Sequence, residues 1–163
     1  MINYRNEPEP VLTIRSLVPD NANATQVAGT HYQTEFQHWD LVAMTGAGYF
    51  EGQVSKYITR HAKKNGKQDA MKAMHFARKL YELASAEKVK PSQHLIENAI
   101  VLFDDFAYLN KLTPLEGVIV RNVIQWYSLK DLNKVIQNIR RLIDTVYPEE
   151  PAEAGAGYVN QDR

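Results

Sequence analysis

The stretch EGQVSKYITRHAKKNGKQDAMKAMHFARKL, residues 51–80, decides the fold. Apolar side chains recur at helical spacing in its first half, at Val54, Tyr57, Ile58 and Ala62. Asn65-Gly66 interrupts the pattern, and a second helix is expected to start near Asp69. One side of that helix carries Met71, Met74, Ala77, Leu80 and Tyr81, and both methionines are expected in the core. The stretch therefore predicts a helical hairpin with a basic connector.

Positive charge is concentrated in this hairpin. Residues 53–79 hold eight Lys or Arg and one acid, Asp69, whereas the whole chain has 19 basic and 19 acidic residues. A neutral chain does not favour general coating of nucleic acid. An anion site, if the protein has one, is therefore expected to be local and to lie on the hairpin.

The helical pattern recurs later in the chain. Asp40 and Asp105 each precede a Glu-Gly pair by eleven residues, at Glu51-Gly52 and Glu116-Gly117. We interpret this as a tandem duplication. The expected fold is all-α, a tandem pair of related helical-hairpin units. The predicted division is an irregular N-terminal arm at 1–28, a first repeat at 29–88, a degenerate second repeat at 89–147 and a disordered tail at 148–163. The second repeat is expected to give structural support or a partner surface.

Several classes of protein lack their sequence signals. The chain has no cysteine, no apolar run of about 18 residues and no signal-peptide pattern at its start, which favours a cytoplasmic protein. P-loop, dinucleotide-binding and nucleophile-elbow motifs are absent. The histidines do not have metal-site spacing, so no metal site is predicted. His61 and His75 are expected at the surface or partly packed.

One face of the first helix is suited to an anion. Gln53, Lys56, Arg60 and Lys63 or Lys64 follow one another at spacings of three and four. Arg60 can hold a phosphate with two parallel N–H bonds, and Lys56 acts as a point charge. Tyr57 beside them offers a ring for stacking. The alternative interpretation is a solvated helix face.

GTHYQ at residues 29–33, followed by the stretch 51–80, resembles the small SaV-like domain of tailed bacteriophages. The shared pattern is His-Tyr, a short helix, Gly-x-x-x-Lys-Tyr-x-x-Arg, a Lys-Gly connector and a downstream Asp with Lys-Ala. The similarity covers about residues 29–85, and Ala70 and Phe76 depart from the usual Leu and Tyr. The same domain forms the C-terminal part of the nucleotide kinase of T-odd coliphages, which lacks a P-loop. The resemblance implies a phage origin, a helical fold and nucleotide handling. By position it points to His31, Tyr32, Lys56, Tyr57, Arg60, Lys64, Asp69 and Lys72.

Together these observations predict a homo-oligomeric nucleotide-binding protein of the infected cell's cytoplasm. The expected ligand-binding residues are His31, Tyr32, Gln53, Lys56, Tyr57, Arg60, Lys63, Lys64, Asp69 and Lys72. Its predicted role is that of a kinase-like protein, a non-P-loop nucleoside monophosphate kinase whose Mg²⁺ arrives with the nucleotide and whose catalytic residues are unassigned. Arg60→Ala is expected to abolish ligand binding and to leave the fold intact.

Three alternatives remain open. The first is a non-catalytic sponge that sequesters host immune nucleotide signals. The second is a nucleic-acid accessory protein, which the neutral charge and the lack of an aromatic platform disfavour. The third is an adaptor using Trp126, Tyr127 and residues 11–18, although those residues equally suit a homo-oligomer interface.

Overall fold

The computed structural model describes residues 34–92, 96 and 98–149. Within that part the chain forms α-helices and one short 3₁₀ turn, with no strand, and the predicted all-α class is confirmed. The helices are α1 (His38–Thr45), α2 (Tyr49–Arg60), α3 (Lys67–Ser85), α4 (Ala99–Leu109), α5 (Pro114–Ile124) and α6 (Leu129–Val146), and the 3₁₀ turn is His61–Lys63. The predicted arm at 1–28, His31, Tyr32 and residues 150–163 of the predicted tail lie outside the described residues.

Local sequence sets the helix ends. Gly46 ends α1 with a φ of 62°, in the left-handed region that favours glycine. At the start of α5, Thr113 precedes Pro114 and forms a capping box with Glu116. Ser128 and Asp131 do the same for α6. These caps satisfy backbone N–H groups that a helix leaves unpaired at its first turn.

The helices α2, α3, α6 and α5 form a four-helix bundle in that cyclic order, and α1 and α4 pack on α2 and α5 respectively. The buried side chains at its centre are apolar and come from all four helices. They include Val54, Ile58, Ala73, Ala77, Leu80, Ile119, Val123, Leu132, Val135 and Ile139. Burying this continuous apolar surface is the main stabilising contribution to the bundle.

Two equivalent hydrogen bonds join the predicted units. Trp126, just after α5, donates from Nε1 to Glu51 Oε1 at 2.7 Å, near the start of α2. His61, just after α2, contacts Glu116 Oε1 through Nε2 at 2.6 Å, near the start of α5. Trp126 and His61 each lie ten residues after the glutamate of their own unit, so the bonds are exchanged between antiparallel helices. This exchange favours the duplication hypothesis, which remains a prediction together with its boundaries.

The glycine of each Glu-Gly pair also has an equivalent role. A Cβ atom on Gly52 would lie 3.6 Å from Val42 Cγ2 on α1, and one on Gly117 would lie 3.5 Å from Ala107 Cβ on α4. Val42 and Ala107 are each ten residues before their glycine. A small residue at both positions lets the preceding helix pack closely.

Two expectations about single residues were wrong. Met71 is 57% exposed, whereas Met74 is buried in the core as predicted. The apolar pattern placed both on one side, but three residues on a helix turn through about 300°, and the core covers only part of that side. His61 was expected at the surface or partly packed, but it is fully buried and hydrogen-bonded to Glu116 and Tyr147.

Candidate anion-binding site

The centre of the predicted site is an ion pair between α2 and α3. Arg60 donates from Nε to Asp69 Oδ2 at 2.9 Å and from Nη2 to Oδ1 at 3.3 Å. Asn65 and Lys72 also donate to Oδ1, at 3.2 and 3.4 Å. The Asp69 side chain is fully buried and that of Arg60 is 11% exposed. Burial opposes the charged form of Asp69, but the bonds from Arg60, Asn65 and Lys72 outweigh it and hold the Asp69 pKa below its ordinary value.

Tyr57 lies against the cations of this cluster. The guanidinium carbon of Arg60 is 4.7 Å from the ring centroid of Tyr57, and Lys72 Nζ is 5.6 Å from it. The ring also stacks on Phe76 of α3, with centroids 5.7 Å apart and planes 17° from parallel. Both cations are within the range of favourable cation–π contact. Tyr57 therefore links the charged cluster to an apolar ring surface.

That ring surface extends toward the start of α2. Tyr49 packs edge-on against Phe50 at 5.3 Å and against Phe76 at 6.1 Å, and its side chain is 66% exposed. We call Tyr49, Phe50, Tyr57, Arg60, Lys72 and Phe76 the aromatic–cationic surface. The expectation that the chain lacks an aromatic platform was wrong. Three of the rings come from α2, and Phe76 of α3 follows them by 19 to 27 residues, so neither helix alone shows the whole platform.

The structure brings together four of the predicted residues: Tyr57, Arg60, Asp69 and Lys72. Gln53 and Lys56 lie one turn before Tyr57 and Arg60 on α2 and are half-buried. Burial and the nearby charge of Lys56 lower the pKa of His38 to about 4, which places Lys56 toward α1 as well. Lys64 is exposed in the connector, and His31 and Tyr32 are outside the described residues.

Lys63 lies apart from the cluster. Its Nζ donates to the backbone oxygen of Asn110 at 2.8 Å, at the end of α4. The 3₁₀ turn after Arg60 breaks the α-helical spacing on which its placement beside Arg60 depended. Burial, and then the charge of Lys111, lower the Lys63 pKa. Lys63 joins the first unit to α4 and does not extend the cationic face.

Arg60 also has a different partner from the one expected. The two N–H groups that were expected to hold a phosphate are directed at Asp69. Replacing Arg60 would remove the main counter-charge of a buried carboxylate. This contact therefore argues against the expectation that Arg60→Ala leaves the fold intact. Arg60 instead positions Asp69 and lies against the ring of Tyr57.

His61 anchors the connector on its other side. Its Nδ1 contacts the Tyr147 hydroxyl at 2.8 Å, and Nε2 contacts Glu116. Burial opposes the charged form of Glu116, but bonds from His61 and Thr113 lower its pKa. An ionised carboxylate only accepts, so Nε2 carries the hydrogen of the bond to Glu116. Gly66, at a φ of 53°, packs beneath the Tyr147 ring.

A separate groove of about 520 Å³ lies between α3 and the end of α6. Its lining includes Met71, His75, Arg78, Arg140 and Tyr147, none of which is a predicted ligand residue. The described residues contain no group of three or more His, Asp or Glu side chains placed to hold a metal ion. None of the described helices is long and apolar enough to span a membrane.

Comparisons with protein-family models, with curated proteins and with solved structures gave no significant match. The resemblance to the SaV-like domain therefore stays a prediction that depends on the quoted motifs.

Proposed function

We propose that the protein binds a nucleotide, or a phosphorylated compound derived from one, on the aromatic–cationic surface. The observation that carries the proposal is the position of Tyr57, whose ring contacts Phe76 and also the cations of Arg60 and Lys72. Ring faces stack on bases and fixed cations bind phosphates, and this surface places the two kinds of group side by side. A solvated helix face has no need of such an arrangement.

The order of residues along α2 suits a ligand with an aromatic end and an anionic end. Tyr49 is exposed at the start of the helix, and Lys56 follows seven residues later, roughly 10 Å along the axis. Gln53 lies between them and offers both a donor and an acceptor to a sugar or a base edge. In this arrangement the base contacts Tyr49 and Phe76, and the phosphates approach Lys56 and Lys72. Mg²⁺ would arrive bound to the phosphates.

Two uses of this binding step are open to the protein. The resemblance favours a kinase-like phage protein that acts on nucleoside monophosphates in the cytoplasm of the infected cell. Sequestration by a homo-oligomer is favoured by the state of Asp69, which together with His31 was a candidate for orienting an acceptor in a kinase. Its carboxylate is buried beneath Arg60, Asn65 and Lys72, so it is not presented to a substrate hydroxyl.

One experiment tests binding and separates the two uses. The protein is incubated with a panel of nucleotides, passed through a desalting column and denatured, and the released compounds are identified by mass spectrometry. Unchanged ligand indicates sequestration, and new di- or triphosphates indicate phosphoryl transfer. If no nucleotide is retained and titration calorimetry detects no binding, the proposal fails.

Variants locate the binding surface. Lys72→Ala removes a half-exposed cation, and a hydrogen bond to a charged group contributes about 1.5–3 kcal/mol. We therefore expect its affinity to fall by roughly ten- to a hundredfold. Tyr49→Ala removes the exposed ring and is expected to weaken nucleotides more than inorganic phosphate. Lys88→Ala, which removes the same charge beyond the end of α3, is the matched control. Equal affinities for Lys72→Ala and Lys88→Ala would place the ligand elsewhere.

A further inference from the structure

A groove of about 310 Å³ lies between α5 and α6, in the unit that was expected to give structural support or a partner surface. Its volume is at the lower end of the range for small-molecule sites. Polar and charged side chains predominate in its lining, which consists of Val118, Arg121, Asn122, Gln125, Asp131 and Lys134.

The same residues are the equivalents of the predicted site in the first unit. The shared Glu-Gly pairs relate α2 to α5 by 65 positions, and the matching aspartates relate α3 to α6 by 62. Subtracting 65 from the numbers of the four lining residues on α5 and after it, and 62 from those of the two on α6, gives their equivalents in the first unit. In order, these are Gln53, Lys56, Tyr57, Arg60, Asp69 and Lys72. Charge is kept at three of the six positions: Arg121 is equivalent to Lys56, and Asp131 and Lys134 are identical to their counterparts.

The charges are arranged differently in the two units. Asp69 is directed at Arg60, whereas Asp131 Oδ2 accepts from Ser128 N and Oγ, at 3.0 and 2.8 Å, and caps its own helix. Arg121 donates from Nε to the neutral amide oxygen of Gln125 at 3.3 Å. Its charge is thus oriented by a neutral amide rather than cancelled by a bound carboxylate. The groove offers an incoming anion a planar guanidinium and, one helix away, the ammonium of Lys134.

We propose that this α5–α6 groove is a second anion site, which binds the phosphate group of a small molecule without stacking a base. Asn122 stands at the position of Tyr57, so the ring that would hold a base is absent from the lining. The amides of Asn122 and Gln125 donate to phosphate oxygens, and Arg121 binds two of those oxygens at once. The ligand class is inorganic phosphate, pyrophosphate or a sugar phosphate.

The two proposed sites lie on opposite sides of the bundle. In the cyclic order of the bundle, the α2–α3 and α5–α6 pairs form opposite sides, and the antiparallel arrangement of α2 and α5 places the sites toward opposite ends. Direct phosphoryl transfer needs reacting atoms about 3–3.5 Å apart. The α5–α6 groove therefore does not serve as the acceptor site for a nucleotide on the aromatic–cationic surface.

The test is a titration of the full ¹⁵N-labelled chain with sodium pyrophosphate, followed by NMR. Saturable shifts are expected for the Arg121 Nε–H signal and for amides of α5 and α6. Arg121→Gln is expected to weaken these shifts by roughly ten- to a hundredfold. Arg121 is exposed, so a circular dichroism spectrum equal to that of the parent chain is expected as well. Lys134→Ala provides a second variant should Arg121→Gln fold poorly.

Arg140→Gln is the control, because it removes the same charge from α6 on the side that faces α3. Unchanged pyrophosphate affinity in both Arg121→Gln and Lys134→Ala, or shifts confined to α2 and α3, would overturn the proposal. Both variants leave the aromatic–cationic surface intact, so nucleotide binding there is measured separately in the same proteins.

Discussion

Replacing Arg60 with alanine is expected to destabilise the protein, whatever ligand it binds. The side chain contacts both oxygens of a fully buried carboxylate and is itself only 11% exposed. After the replacement, Asp69 keeps the bonds from Asn65 and Lys72 to Oδ1, and Oδ2 loses its guanidinium partner. A buried charge without its counter-charge is a strongly unfavourable arrangement in the folded state.

The size of the effect follows from these contacts. Removing one partner of a buried ion pair destabilises a protein by about 3–5 kcal/mol. Asn65 and Lys72 retain part of the stabilisation of Asp69, so we expect about 2–3 kcal/mol for Arg60→Ala. For a chain of this size each kcal/mol shifts the midpoint temperature by about 2–4 °C, which gives a decrease of about 4–12 °C. Domain stabilities are about 5–15 kcal/mol, so the variant is expected to remain folded at room temperature.

The assay is urea unfolding, followed by circular dichroism, of the parent chain, Arg60→Ala, Asp69→Ala and the double variant. Because the two side chains contact one another, the double-mutant cycle is expected to give a coupling energy of about 1–3 kcal/mol. The double variant should be no less stable than Arg60→Ala, since it no longer buries the carboxylate. A destabilisation of Arg60→Ala below about 0.5 kcal/mol, with an unchanged slope, would refute this reasoning.

Three further predictions depend on other contacts. The bonds to Asp69 lower its pKa, so its contribution to stability is present above the unfolded-state pKa of about 4 and is lost as the pH falls through the lower folded-state pKa. Urea midpoints of the parent chain should therefore fall between about pH 6 and pH 3. The decrease should be less steep in Asp69→Asn. Trp126→Phe removes the N–H donor to buried Glu51 and should lower the free energy of unfolding by about 1.5–3 kcal/mol, which an unchanged thermal midpoint would contradict. Met71→Lys should change stability by less than about 0.5 kcal/mol, whereas Met74→Ala should decrease it by about 2 kcal/mol or more, and equal urea midpoints for the two variants would contradict the assigned burial.

The helical class and the main hairpin could be predicted from the sequence because they depend on local signals. Apolar periodicity located α2 and α3, and Asn65-Gly66 marked the connector between them. The sequence determines less well which face of a helix is buried, because a shift of one residue turns that face by about 100°. Met71 was therefore placed in the core although it lies beside it.

The candidate site could be predicted only along one helix. Spacing on α2 placed Tyr57 and Arg60 near one another, but the partners of both residues come from α3. The pairing of Arg60 with Asp69 and the stacking of Phe76 on Tyr57 are contacts between helices. The pattern of residues along a single helix does not contain that information. Lys63 was misplaced because the backbone leaves the α-helical form directly after Arg60.

Contacts that occur in both predicted units belong to the bundle, whereas contacts that occur in only one unit belong to its connector or its proposed site. Glu51 and Glu116 are both buried at the start of a helix, and each receives an N–H from the opposite unit. Indole and imidazole meet that requirement equally well, which is why Trp126 and His61 can occupy equivalent positions. The imidazole has a second nitrogen, and in the first unit that nitrogen binds Tyr147.

The extra contact fixes the basic connector, because Gly66 at its end packs beneath the Tyr147 ring. The second unit joins α5 to α6 by a shorter turn and has no such anchor at Trp126, whose indole nitrogen only donates. The shared bonds thus belong to the bundle, and the differences are concentrated in the connector and in the two grooves beside it. At the matching positions of the second predicted unit, Asn122 and Gln125 stand where the first has Tyr57 and Arg60, so the stacking ring is absent and a cation is kept on each helix. Under the duplication hypothesis, this pattern is expected of the two proposed anion sites, one for a ligand with a base and one for a ligand without a base.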